Sequence, residues 1–498
     1  MPVARAGSRL PAHLLLAAAS LALSGLAILR DPLVNDDGIP FLLQAEGILE
    51  GFASGEGPTG WSLYTLLIAS IQALTGLGSI ASAQSLDAGL LALLTVSFAS
   101  LLELIGAERR FYFWGALALL LFPRLNEYRG HIAADLGFWA FLVASLVPLA
   151  RYLTTQLWEQ ALAWALLTAV AAAFRHEALV FGALLPLACL APAADPPRLQ
   201  AMIRLHAALL GLAVLPLVAA ARFGFMPPLA DAVFDGLQRT LQGVGNGFAE
   251  AAGHLGTLVL DERASGMAGI SLGAALTAVL LLELLRSLGL AYALLLGWAA
   301  VTRRSLLPES GEGLQRSLAL AGVAVAGAFV AAQQFVGGRQ LMPLCLALVV
   351  PCAFAARELL LAALQSHRPT AARIGLAVLV IALLADGFVS VGSRRSYLPE
   401  SIAWIQKSVP PGSSVFSNDR RLAYYSGGRV DWSSIPSAGK RIASGTAPVQ
   451  GADYWLIHLG PDEKALEPAL RRYGTALEQV ARFGEPGSPG VLVLRTRQ

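Results

Sequence analysis

An all-α polytopic membrane protein of about 11 transmembrane helices, followed by a small C-terminal α/β domain, is the fold class this sequence predicts. Three observations carry that expectation. Of 498 residues, 56% are hydrophobic and only 14% charged, which is more apolar side chain than one soluble core can bury. The apolar residues recur in blocks from Leu14 to about Val391 with short polar gaps. After about Arg394 the composition changes: Lys, Asp, Asn and Pro rise, and apolar residues fall into short alternations. The expected domains are therefore a membrane module over residues 1–393 and a soluble unit over 394–498, the latter of ordinary size for an independent unit.

The first apolar run, from about His13 to Leu29, follows Arg5 and Arg9 and reads as an uncleaved span, since insertion is already required by the spans that follow. Further spans are centred near residues 95, 117, 143, 167, 185, 212, 327, 351 and 382. Residues 61–77, apolar but carrying Gln72 between Gly60 and Gly76, read as a re-entrant or interfacial helix. The block 267–301 is too long for one span, has Glu283 and Arg286 at its middle, and reads as one crossing plus an interfacial helix. Arginines sort the loops. Those near residues 109, 151, 198, 303, 316, 357 and 368 mark cytoplasmic segments, which sets the N-terminus inside and the C-terminal unit outside. The outward loops are then 35–60, 124–135, a few residues at 175, 223–266 and 337–340. In the C-terminal unit, Ser414–Ser417, Tyr454–Leu459 and 490–495 read as strands, and 398–409 and 462–473 as helices.

Several function classes are excluded. With 36 basic and 33 acidic residues the net charge is +3, so there is no broad basic surface for nucleic acid. Cys189, Cys345 and Cys352 lie in apolar stretches without CxxC spacing and read as packing residues. No GxGxxG follows a strand, and there is no GxxxxGK[ST] or DxD, so nucleotide-dependent chemistry has no foothold, and no HExxH marks a zinc protease. An outward-facing enzyme would draw its activated group from the lipid.

Ionisable groups at a membrane surface are costly, which makes four clusters candidates for function. Asn35-Asp36-Asp37-Gly38 supplies two carboxylates where helix capping needs one, so the other is available as a base or metal ligand. In Tyr128-Arg129-Gly130-His131-Ile132-Ala133-Ala134-Asp135, His131 and Asp135 would share one face if the segment is helical, and could hold a metal, orient substrate or cap the next span. Arg129 adds an anion-binding option. Arg175-His176-Glu177 is either a solvated turn whose opposite charges pair, or part of a substrate or metal site. Gly337-Gly338-Arg339-Gln340 places an arginine against the positive-inside trend, where it asks for an anion such as phosphate.

In this order the features resemble the GT-C class of membrane glycosyltransferases, especially the branch of protein O-mannosyltransferases and the bacterial lipid A aminoarabinose transferase. Asn35-Asp36-Asp37 resembles that family's acidic motif after the first span. Gly57-Pro58-Thr59-Gly60-Trp61-Ser62-Leu63-Tyr64 resembles its Pro-containing entry to an aromatic helix. Phe122-Pro123 with Asp135 is similar to its span ending in Pro before an acidic loop residue, and Arg339-Gln340-Leu341-Met342-Pro343 to its late Arg-x-x-x-Pro pattern. The family commonly has paired prolines and a lysine where this chain has Pro58 alone and Arg175-His176-Glu177.

The resemblance implies a multi-pass protein of a bacterial inner membrane with a periplasmic C-terminal domain. It would be a hexosyl- or pentosyltransferase moving sugar from a polyprenyl-phosphate donor to a lipid or glycan acceptor with inversion. Asp37 or Asp36 would take the acceptor proton, and Arg339 with Arg129 or Arg175 would bind the donor phosphate. A divalent cation near Asp36, Asp37, His131 or Asp135 is compatible with this chemistry and not required by it. The competing class is a transporter or flippase for a lipid-linked sugar, but the polar residues collect on one side of the spans, without the internal symmetry such proteins often carry.

Overall fold

The computed structural model of the protein describes residues 10–54, 62–106, 108–190, 199–223, 228–261, 263–302, 307, 309–364, 369–390, 397–447, 451–460, 466–474, 476–485 and 488–497. The motif residues Gly57 to Trp61 lie outside these, as do Arg5, Arg9, Arg198, Arg303, Arg304 and Arg368. The chain divides into two units, one of Met1–Asp31 with Gln44–Ser390, the other of Pro32–Leu43 with Val391–Gln498.

The first unit is helical because its sequence is a series of Ala/Leu-rich blocks that can satisfy backbone polar groups without water only as helices. Its helices are α1 (Leu10–Arg30), the larger part of α2 (Ile39–Ser54), α3 (Leu63–Thr75), α4 (Ser79–Gly106), α5 (Arg110–Leu120), α6 (Pro123–Glu127), α7 (Ala134–Thr155), α8 (Trp158–Phe174), α9 (Ala178–Leu184), α10 (Leu199–Phe223), α11 (Pro228–Leu258), α12 (Ala268–Thr302), α13 (Glu309–Gln333), α14 (Gly338–Leu364) and α15 (Pro369–Ser390). Six apolar helices among the described residues are long enough to cross a bilayer, and five shorter ones accompany them. The protein is a multi-pass membrane protein.

Every expected span centre falls within one of these helices except 185, which opens a 3-10 stretch, Leu185–Leu190, directly after α9. The segment read as interfacial becomes α3, 13 residues that are too few to cross. It starts at a capping box of Ser62 and Thr65 and stops at Gly76, whose φ of 71° suits glycine. The long block 267–301 breaks at Gly289, where φ is 77° and ψ 163°, and the Asp386 carboxylate accepts from the Ala291 N–H at 3.2 Å just beyond the break. The 223–266 loop, to which the sequence assigns no motif, contains α11, a helix of 31 residues.

α4 and α7 are the centre of the unit: 67% and 72% of their most apolar stretches are buried, against 11% for that of 265–301, whose Leu281, Leu282 and Leu285 are exposed. α4 packs on α1, α3, α5 and α7, and α7 in turn packs on α8. Trp139, Trp164, Tyr64 and Tyr152 are fully buried between these helices. Cys189, Cys345 and Cys352 are free and buried, as packing residues should be.

The second unit is a five-stranded sheet with helices on both faces. Its elements are α16 (Tyr397–Ser408), β1 (Ser414–Ser417), α17 (Arg420–Tyr425), β2 (Arg429–Val430), α18 (Ile435–Ser444), β3 (Tyr454–Leu459), α19 (Leu466–Leu470), β4 (Leu477–Phe483) and β5 (Gly490–Thr496). The strand order is β2-β1-β3-β5-β4, parallel across β2, β1 and β3 and antiparallel across β3, β5 and β4. Alternation builds two cores. Phe416, Trp455, Ile457, Leu492 and Leu494 meet α18 and α19 on one face. Val415, Leu456, Val491 and Val493 meet Leu398, Ile402 and Ile405 of α16 and Leu422 of α17 on the other. Leu33 packs against this second core, and the Val34 N–H donates to the Tyr425 hydroxyl at 3.1 Å, so the segment that follows α1 is part of the C-terminal unit.

Candidate active site

Two constellations gather the sequence-derived candidates, one in each unit. That of the membrane unit is built on the break between α5 and α7. Pro123 opens α6 at its first turn, where a missing N–H costs nothing. A 3-10 turn over Tyr128–Gly130 follows, and residues 131–133 are extended before α7 starts at Ala134. The His131–Asp135 pair therefore does not share a helical face: the chain must straighten between the turn and α7. His131 stacks edge-on against Tyr128 instead, with ring centroids 5.3 Å apart, while the buried Asp135 carboxylate turns to Arg175 at 2.5 Å. Arg175 also grips Glu177, through Nη2 at 2.5 Å and Nε at 3.2 Å, and His176 Nδ1 lies 3.7 Å from the same carboxylate. The second and third sequence clusters are thus one cluster. Burial works against charge on Arg175, yet Asp135 and Glu177 more than offset it and raise its pKa. Burial works likewise against Glu177, yet Arg175 and His176 hold its carboxyl below the ordinary value.

The seat of this triad is set by packing. The Phe174 ring lies where any Cβ on Gly137 would be, so only glycine allows α7 and the end of α8 to approach this closely. The Tyr64 hydroxyl donates to Asp87 at 2.7 Å inside the bundle, and the Ala133 N–H points at that pair, which fixes the extended residues.

Arg129, by contrast, turns away from the other charges. It is 3% exposed, and donates to Asn126 Oδ1 at 2.7 Å and to the Ser20 carbonyl and Ser20 and Ser24 hydroxyls at 3.1–3.2 Å. Among the described residues no carboxylate faces it, Nη2 has no partner, and burial alone pulls its pKa down to about 10.

Arg339 lies at the start of α14 with Arg124, a residue the sequence reading treated as no more than the end of a loop. The Arg124 guanidinium packs on the bare Cα of Gly338, where a Cβ would collide with it. It also lies over the Tyr128 ring, 5.5 Å from the centroid, and reaches Glu127 at 2.5 Å and Glu283 at 3.6 Å. Both arginines act on Tyr128, whose hydroxyl pKa is raised by burial against their opposing pull. The only local sign in the sequence was an arginine directly after the helix-starting Pro123.

The second constellation surrounds Asp36. Asn35 leads into a 3-10 turn over Asp36–Gly38 without a side-chain capping bond. Asp36 receives Arg420 Nη1 at 3.2 Å. Burial and Asp419 raise the pKa of Asp36, and Arg420 and Arg421 pull it back only partly. A carboxyl less acidic than usual is a better proton acceptor once ionised. Asp419 caps α17 through the Arg421 and Leu422 N–H groups, pairs with the Arg421 guanidinium at 2.7 Å, and lies 3.5 Å from His458 Nδ1. Among the described residues no group of three or more His, Cys, Asp or Glu side chains is placed to hold a metal ion. Gly269-Ile270-Ser271-Leu272-Gly273 has the spacing of a hydrolase elbow, but it lies within helix α12 and not at a strand-to-helix turn.

No protein-family model matches the sequence, and no curated protein does. Solved structures do. ArnT from Cupriavidus metallidurans in the apo state aligns with a TM-score of 0.51 at 13% identity, over 96% of this chain and 97% of that one. The same protein bound to undecaprenyl phosphate gives 0.47 over the same shares. The arabinofuranosyltransferase AftD from Mycobacteria gives 0.48 at 16% identity, over 98% of this chain and 41% of that one. At such identities what is shared is the path of the chain, and on the apo ArnT alignment, which runs along nearly the whole chain, this protein has an ArnT-like fold.

Proposed function

We propose that the protein is a glycosyltransferase of a bacterial inner membrane that moves a sugar from a polyprenyl-phosphate donor to a lipid or glycan acceptor at the outer face, with inversion. The observation that carries this reading is the likeness to apo ArnT along nearly the whole of both chains. The side chains supply matching chemistry. The acceptor hydroxyl gives its proton to Asp36 or Asp37 while its oxygen attacks the anomeric carbon from the side opposite the phosphate. A single displacement inverts that centre. The bond to the phosphate oxygen breaks with growing negative charge, which Arg339 and Arg124, both near enough to act on Tyr128, would stabilise. The Arg175 triad and Arg129 hold the loop that carries Tyr128. The arginine distribution sets the second unit on the periplasmic side.

Purified protein in lipid, given radiolabelled polyprenyl-phosphate sugars and a mixed envelope-lipid acceptor fraction, is expected to release free polyprenyl phosphate and label the acceptor. Movement of intact donor across the bilayer without cleavage would refute the transferase and leave a flippase. Arg339→Ala is expected to lose on the order of 3 kcal/mol of transition-state stabilisation, read as kcat/KM.

A further inference from the structure

The parallel half of the C-terminal sheet has a direction. From β1 the chain passes through α17, whose Leu422 sits in one core, to β2. From β2 it passes through α18, whose Ala438 and Ile442 sit in the opposite core, and returns on the other side of β1 as β3. The two connections cover opposite faces, so β1 and β3 flank a topological switch point, and the crevice outside the carboxyl ends of such strands is where open α/β sheets bind ligands.

Those strand ends are pinned. Asn418, just after β1, exchanges two 2.8 Å hydrogen bonds with the backbone of His458 near the end of β3. Asp419 is consumed by Arg421 and by the first turn of α17. Arg420 is the exception. Its Nη1 reaches Asp36, 384 positions earlier in the chain, which brings the carboxylate to the switch point.

Stability does not account for that ion pair. The side chains of Arg420 and Asp36 are 31% and 45% exposed, and pairs so open to water contribute little to folding. The segment is already anchored by Leu33 in the core and by Val34 on Tyr425. What remains for Arg420 is direction: a planar guanidinium fixes where a carboxylate points, as a lysine point charge does less well.

We infer that Arg420 is a positioning residue for the Asp36 carboxylate, which it aims at an acceptor hydroxyl received beside the carboxyl ends of β1 and β3. The inference rests on the reading of Asp36 as the base.

The test is a double-mutant cycle on the full-length protein in lipid, with polyprenyl-phosphate release as the readout. Arg420→Gln is expected to lower kcat about tenfold with donor KM unchanged. Arg420→Lys should lower it about threefold. Combined with Asp36→Asn, either change should cost nothing further, because only residues that act through one another are non-additive. If Arg420→Gln does not accumulate, the Arg420→Lys arm decides in the same way: its loss vanishes in the Asp36→Asn background, or persists and overturns the inference. Wild-type turnover of Arg420→Gln beside a crippled Asp36→Asn would sink the positioning role alone. Full activity of Asp36→Asn would remove the base and the positioning role together.

Discussion

Arg129, buried, and Arg175, half-buried, are both arginines in the loops of the membrane unit, and their surroundings are opposite in kind. Arg175 is held between two carboxylates, and its pKa rises. Arg129 is held by one amide oxygen and the serine oxygens of α1, and its pKa falls. The first arrangement more than offsets the arginine's charge and makes its three members depend on one another. The second solvates the charge with dipoles but leaves it uncancelled, still protonated at any pH where the protein works. A buried charge matched by an opposite one is thus a lock, whereas one matched only by dipoles keeps a net field.

The largest expected effect tests the lock. Arg175→Met strands two buried carboxylates and is expected to cost about 3–5 kcal/mol in a detergent-unfolding titration. Neutralising both partners as well, with Asp135→Asn and Glu177→Gln, should return most of that. A smaller effect is expected at Arg129: Arg129→Met removes a poorly compensated charge together with its hydrogen bonds, and should cost no more than about 1 kcal/mol. An equal cost at the two sites would break the comparison and reveal an anion beside Arg129.

Acid should separate them further. The Glu177 carboxyl sits below its ordinary value of 4.5 in the folded protein, so its pairing stabilises fully above that value and is lost as pH falls through the folded one. Arg175→Met should abolish this acid sensitivity of the unfolding midpoint, and Arg129→Met should preserve it. The smallest expected effect on stability is at Gly338. Its added Cβ in Gly338→Ala meets only the far end of the Arg124 side chain, which can shift, so stability should change by less than about 0.5 kcal/mol while donor KM rises about tenfold. An unchanged KM would free Arg124 from the donor site.

Much of this fold was legible because its signals are local. Blocks of about 20 apolar residues announce spans, and the short, nearly continuous apolar run Tyr454–Leu459 announces a strand buried on both faces. β4 escaped because Glu478, Gln479 and Val480 are exposed beside its bulge, which leaves no clean alternation. In the candidate site, residue types were legible and partnerships were not. Arg175 and Asp135 are 40 positions apart, and Arg420 and Asp36 are 384 apart, so no period connects them. The His131–Asp135 expectation failed for the opposite reason. A spacing of four suggested a helix, but Ile132 and Ala133 run extended, tied to the Tyr64–Asp87 pair.

Residues Pro32–Leu43 belong to a unit whose other members begin at Val391. On a ribosome adding roughly 5–20 residues per second, this segment waits tens of seconds for the strands that receive it. Throughout that interval Leu33 has no core and Asp36 no arginine. A nascent chain with most of its helices already inserted would still lack these contacts. The order of synthesis itself leaves the segment after α1 without its sheet until the chain is nearly finished.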